Sequence, residues 1–323
     1  MIPPIASRFV AGESPAKAIE HVQQLDDDEV GAILNLLGEH HTDPDVIAED
    51  VDAYRSLADS IARTTFDACI SVKPSQIGLD IGPEEFESNL ERIVSHAADR
   101  DVFVWVDMED HTTTDATLEA YERLAREYAP DRSARAEEVA GAGATEATEI
   151  GSTKTAESGS GTDGVMVEDG AVGEGVLGLC LQANLKRTRE DLERLSDVPG
   201  KVRLVKGAYD EPKSIAYKEK ERVDEAYRTL LEDAFENRDG GIAVGSHDPA
   251  MIEYARELHE EYGTPYEVQM LMGVRDDAQR DLAADGVTVY QYVPYGSRWL
   301  SYFYRRVRER KENLLFAVRA VLS

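Results

Sequence analysis

The 323-residue chain carries 64 Asp and Glu against 35 Lys and Arg, a formal net charge of −29, and is 42% hydrophobic. That apolar content suits a packed core and excludes a wholly disordered chain, while the charge excludes a general nucleic-acid binder and disfavours an anionic membrane as a strong electrostatic partner. No run of about 18 apolar residues is present to cross a bilayer, Met1 to Ala11 does not read as a signal peptide, and Cys69 and Cys180 alone give no disulfide framework and suit a reducing cytosol.

A helix is predicted near Ser14–Gln24, ahead of a first strand at Gly31–Leu37. A second helix opens at Thr42-Asp43-Pro44 and runs to Arg63, before a strand at Ala68–Val72. A third opens with Pro83-Glu84-Glu85 and leads to the strand Val102–Val106; the next follows Thr114-Asp115. Further strands fall at Val176–Leu181, Val202–Val205, Gly241–Val244, Tyr266–Leu271 and Val287–Val293. Helices open between them at Thr188-Arg189-Glu190, Asp248-Pro249 and Asp276-Asp277, and a long one, Ser297–Val321, ends the chain. The helix starts carry caps or acidic first turns. Several strands are nearly continuous apolar runs, as expected where both faces are covered.

Residues 131–176 stand apart. They hold no aromatic residue, 9 of the 24 glycines, and ten acidic against three basic residues. Such a composition buries too little apolar surface to order itself and reads as a disordered acidic insertion. A catalytic lid is the competing reading, weakened by the lack of aromatic or basic anchors. With the insertion set aside, eight strands alternating with helices predict one (β/α)₈ TIM barrel over residues 1–323, with an N-terminal helical extension. A doubly wound open sheet competes, but no Gly-x-Gly-x-x-Gly follows any strand to support a dinucleotide site of that type.

In a barrel, chemistry sits where strands end. Here those positions are polar: Glu39, Lys73, Asp107 and Glu109, Gln182 and Asn184, Arg203 and Lys206, His247, Gln269 and Tyr292. Charges among apolar runs are costly unless paired, so the series reads as a candidate active site. Tyr302, Arg305, Arg306 and Glu309 share one face of the last helix. That face is either a solvated stripe or a pair of guanidinium forks for a small anion. The residue types leave the chemistry open. Glu39, Asp107 and His247 are potential ligands of a divalent cation, and Lys73 is a potential Schiff-base lysine, so a barrel aldolase or metal-dependent lyase is one reading. An acidic scaffold that recruits a partner through residues 131–176 is another.

Ile70-Ser71-Val72-Lys73, Leu181-Gln182-Ala183, Val202-Arg203-Leu204-Val205-Lys206-Gly207-Ala208-Tyr209, and Tyr292-Val293-Pro294-Tyr295-Gly296 followed by Tyr302-Phe303-Tyr304-Arg305-Arg306-Val307-Arg308-Glu309 together resemble the proline dehydrogenase family. The resemblance runs from Arg8-Phe9-Val10-Ala11-Gly12-Glu13 to the last helix and omits only 131–176. It is closer to the short monofunctional form than to the bifunctional proline-utilisation protein, since no aldehyde dehydrogenase domain follows. It implies a distorted barrel, non-covalent FAD, and oxidation of L-proline to Δ1-pyrroline-5-carboxylate with electrons passed to a quinone. By the same resemblance Lys73, Arg305 and Arg306 pair with the proline carboxylate, and Asp107 orients a basic partner. Leu204, Tyr209, Tyr292 and Tyr302 pack around the ring. Arg203 approaches flavin N5, and Gln182, Lys206, Gly207, Ala208, His247, Gln269 and Glu309 contact the cofactor. No resident metal is implied. A cytoplasmic protein is expected; peripheral contact at the inner face of the cell membrane and an oligomeric state are compatible with the resemblance.

Only 10 of the 35 basic residues are Lys. Acidic excess with scarce Lys resembles proteins of salt-loving microbes. In ~1 M salt the Debye length is about 3 Å, so self-repulsion is screened while carboxylates keep the surface hydrated.

Overall fold

The computed structural model describes residues 2–3, 6–129, 175–238, 240–300 and 302. Eight parallel strands pair in sequence order and close into a barrel. They are β1 (Gly31–Leu36), β2 (Ala68–Val72), β3 (Val104–Val106), β4 (Leu177–Gln182), β5 (Lys201–Val205), β6 (Ile242–Gly245), β7 (Tyr266–Leu271) and β8 (Val289–Tyr295). Closure is made by β1 and β8, in register from Gly31 opposite Tyr290 to Leu36 opposite Tyr295. The helices are α1 (Pro15–Asp26), α2 (Pro44–Ile61), α3 (Pro83–Ala98), α4 (Thr114–Glu127), α5 (Thr188–Arg194), α6 (Lys220–Asn237), α7 (Pro249–Tyr262) and α8 (Asp276–Ala284).

The expected barrel is therefore the observed one, and the open sheet is not. The strand at 102–106 shortens to three residues, and the last strand shifts two residues toward the C-terminus. Local chemistry explains the helix starts. Asp43 and Asp248 each accept a hydrogen bond from the backbone N–H two residues on, with Pro44 and Pro249 beginning their helices; Pro there sacrifices no intrahelical bond. The start signals miss α6, whose Glu219 makes no side-chain cap bond. What defines α6 is a buried stripe of Tyr227, Leu230, Leu231, Ala234 and Phe235. The sequence segment 131–176 lies outside the described residues except for Gly175 and Val176, which lead into β4. The final helix likewise lies outside them beyond Trp299, Leu300 and Tyr302.

Two cores result from strand alternation. The larger fills the space between strands and helices, with Tyr54, Phe86, Tyr121, Tyr227 and Phe235 among its members. The smaller plugs the lumen with Ile33, Cys69, Trp105 and Ala243, and with Phe103, Tyr290 and Tyr292 against them. Glycines make room for the rings: a Cβ on Gly31 would lie 2.5 Å from the Tyr290 ring, and one on Gly178 would lie 2.6 Å from Trp105. The rest of the lumen is polar, and that sets up the site.

Candidate active site

Asp107, just past β3, is the hub of the lumen. Ser71 Oγ donates to its Oδ1 at 2.8 Å, Tyr292 OH donates to its Oδ2 at 2.7 Å, and Arg203 pairs with it through Nη2. Arg203 is 4% exposed. Its guanidinium lies 4.9 Å from the Trp105 ring centroid and 5.8 Å from that of Tyr292, and Nη1 donates to Gln269 Oε1 at 3.1 Å. Burial, then the adjacent Asp107 carboxylate, pushes the Tyr292 phenol well above its usual range, so it stays a donor. Asp107, Gln269 from β7 and the rings of Trp105 and Tyr292 hold this buried cation in a single orientation.

Beside them is a small cavity of about 100 Å³, lined by Leu37, Glu39, His41, Lys73, Arg298 and Tyr302. Lys73 Nζ lies 3.1 Å from Glu39 Oε2. Tyr302 is 6% exposed and packs with Phe9, Val10 and Leu37. The cavity wall is braced by Asp50, which meets Arg298 at 2.9 Å and His41 at 3.2 Å. Glu109 is buried, and burial raises its carboxyl pKa above the usual range against hydrogen bonds from Ser75 N at 2.6 Å and Ser75 Oγ at 2.8 Å. It anchors the turn that carries Lys73.

A third group sits past β5 and β6. Lys206 Nζ bridges Asp224 at 2.5 Å and Asp248 at 3.0 Å. Gly207 has φ +98, and a Cβ there would collide with Asn184, whose Oδ1 is buried with no hydrogen-bond partner among the described residues. Ala208 is exposed and Tyr209 half-buried. His247 Nε2 accepts from the Leu271 N–H at 2.8 Å.

The structure thus brings together Lys73 with Tyr302, and Asp107 with Arg203, Gln269 and Tyr292. Gln182 Nε2 donates to the Glu109 carbonyl at 2.6 Å. Leu204 is not at the lumen: it is fully buried in the layer under the helices, on the face of β5 opposite Arg203. Its expected place around the substrate ring is therefore not one the geometry provides. Arg305, Arg306 and Glu309 lie outside the described residues. Glu39, Asp107 and His247 are engaged separately, and among the described residues no group of three or more His, Cys, Asp or Glu is placed to hold a metal. Sequence reading missed Lys201, Glu267 and Glu211. Glu211 is 3% exposed and binds the backbone N–H of His111 at 2.9 Å as well as its ring, tying the loop after β3 to the loop after β5. Among the described residues no helix is long and apolar enough to cross a membrane.

A closed parallel barrel with fixed cations and carboxylates gathered at the C-terminal ends of its strands has the architecture of a (β/α)₈ barrel enzyme. The chain belongs to the proline dehydrogenase family, whose model matches residues 18–319. It is 32% identical to the proline dehydrogenase of Deinococcus radiodurans, over 99% of this chain and 90% of that one. It is 29% identical to proline dehydrogenase 1 of Bacillus subtilis, over 98% and 91%. Among solved structures, proline utilization A from Bdellovibrio bacteriovorus aligns with a TM-score of 0.72 at 19% identity. That from Corynebacterium freiburgense aligns at 0.69 and 20%. They cover 94% and 97% of this chain, which spans about a third of theirs (32% and 31%).

Proposed function

We propose that the chain oxidises L-proline to Δ1-pyrroline-5-carboxylate with FAD as its cofactor, the first step of proline catabolism. The observation that carries this reading is the Arg203 guanidinium held in the lumen by Asp107 and Gln269, beside a cavity that presents Lys73 and Tyr302. The residues present fit a flavin nucleotide. A buried cation faces the lumen, Lys206 adjoins a turn that tolerates only glycine, and the Asn184 Oδ1 beside that turn is buried without a partner among the described residues. Arg203, Gln182, Lys206, Gly207, Ala208, His247 and Gln269 would hold the cofactor, with Glu309 from the last helix. When bound, FAD would supply the two-electron sink, with N5 as the acceptor for the hydride that leaves C5.

The protein's own part is positioning. Lys73 offers a cation to the substrate carboxylate, with Arg305 and Arg306 as further partners. Tyr302 and Tyr292 bound the space for the ring, and Tyr209 closes it from the β5 side. Fixing both ends of a small substrate against an oriented acceptor contributes through lost translational freedom, about 7–11 kcal/mol at best. Breaking the C5–H bond while the amine loses its proton forms the C=N bond, so two electrons and two hydrogens leave proline. A neutral amine suffices, which agrees with the absence of a nucleophile–base pair from the assigned residues.

The electrons are assigned to a membrane quinone, reached by peripheral contact from the cytoplasmic side. The acidic, Lys-poor composition supports a protein adapted to a salty cytoplasm, and residues 131–176 are assigned as a passive insertion in one catalytic domain. The aldolase or metal-lyase reading is disfavoured because Lys73 is held by Glu39, and Glu39, Asp107 and His247 have separate partners. The decisive experiment is the visible spectrum of purified protein before and after L-proline. A flavin spectrum that bleaches on addition supports the reading. Protein that stays colourless and inactive after incubation with FAD in high salt overturns it.

A further inference from the structure

We infer that Glu267 is a positioning residue for Arg203, setting which end of the Gln269 amide meets the guanidinium; the inference rests on the FAD reading above. A polar chain threads the lumen. Lys201 pairs with Glu267 Oε2, Gln269 Nε2 donates to Glu267 Oε1 at 2.6 Å, and Arg203 Nη1 donates to Gln269 Oε1 at 3.1 Å. Lys201, Arg203, Glu267 and Gln269 are 8%, 4%, 4% and 4% exposed. Strand register assembles them. Lys201 and Arg203 are two apart on β5, Glu267 and Gln269 two apart on β7, so all four point inward. Between these strands, β6 contributes Ala243, which aligns with Arg203 on one side and Glu267 on the other, and Gly245, which aligns with Gln269. Those small residues leave the gap that the long side chains cross.

The amide of glutamine has a donor end and an acceptor end of nearly equal size, and the network decides its orientation. A guanidinium has donors only, so a reversed Gln269 would set N–H against N–H. Glu267 accepts from two donors, Lys201 and Gln269. Lys201 occupies one of its oxygens, and the other draws the Gln269 NH₂ to itself. That leaves the Gln269 oxygen for Arg203. No atom of Glu267 needs to reach the reaction; it acts through Gln269.

The test uses E267Q, with E267D as the conservative control, in full-length holoenzyme. In E267Q, Lys201 claims the new amide oxygen, so the NH₂ of residue 267 faces Gln269 and turns it around. The single variant should retain FAD and keep its KM for L-proline while kcat falls about tenfold, as one buried hydrogen bond is replaced by a donor clash. E267D keeps an acceptor-only carboxylate toward Gln269, and its kcat should return to within about threefold of wild type. If E267Q fails to accumulate, Q269L removes the acceptor directly and should reproduce the loss in kcat. Wild-type kcat in E267Q, E267D no better than E267Q, or a wild-type kcat in Q269L would each overturn the inference while leaving the FAD reading intact. A wild-type chain that takes up no flavin removes both.

Discussion

Tyr292 on β8 donates its phenolic hydrogen to Asp107 past β3 at 2.7 Å, across a separation of 185 residues in sequence. That bond exists only because the barrel closes, and it leaves Asp107 with its other oxygen for Ser71 and Arg203. A carboxylate with fixed donors on both oxygens cannot rotate, and neither can the guanidinium it holds.

Tyr292→Phe should therefore loosen the hub without emptying it. The ring and its packing remain, while a hydrogen bond to a charged acceptor, worth about 1.5–3 kcal/mol, is lost. Both the midpoint of denaturant unfolding and kcat/KM for L-proline should fall. An unchanged kcat/KM would detach Asp107 from catalysis.

The eight strands are legible in the sequence because strands covered on both faces read as apolar runs. Lumen geometry is legible only in part. Arg203 and Asp107 stand out as charges at strand ends, but their pairing across 96 residues depends on closure. Lys201 and Glu267 are invisible as a pair for the same reason, since each alone reads as a strand-edge charge. Leu204 shows the limit of motif matching: strand parity turns it to the face of β5 opposite Arg203, into the layer under the helices. Helix α6 fails for a different cause, being specified by its apolar stripe and not by its ends.

Gly178→Ala should destabilise the barrel from within. The new methyl would sit 2.6 Å from two carbons of Trp105, a ring 1% exposed and pinned beneath Arg203. Overpacking of this kind costs roughly 1–3 kcal/mol. The expected readout is a fall in Tm of about 2–4 °C per kcal/mol. A Tm equal to wild type would mean that the lumen repacks freely.

Lys73→Met should raise the KM for L-proline by about tenfold or more while the protein stays yellow. Methionine keeps the length and apolar stem of the side chain but removes the cation. It also leaves Glu39, 3.1 Å from the lost ammonium, as an uncompensated carboxylate on the cavity wall. An anionic substrate then meets repulsion where it met attraction, a difference of at least ~1.4 kcal/mol for tenfold. Flavin loss with an unaltered KM in the remaining holoenzyme would reverse the assignment of Lys73 to substrate.

Asp248 links the barrel mouth to pH and salt. The hydrogen bond from Lys206, 3.0 Å away, holds its carboxyl below the usual 3.8, with the Ala250 N–H helping against partial burial. A folded pKa below the unfolded one means that the unfolded chain binds the proton first as pH falls. The stabilisation is therefore complete above about pH 4 and disappears as pH drops through the folded value. Asp248→Asn preserves the helix cap and removes only the charge. In dilute buffer at pH 7 it should cost about 0.2–1 kcal/mol, the scale of a partly exposed ion pair. The Tm gap between wild type and D248N should narrow toward pH 3 and also in ~1 M KCl, where screening weakens the pair. A gap that widens on acidification would contradict the Lys206 pairing, because only a carboxyl with a raised folded pKa behaves that way.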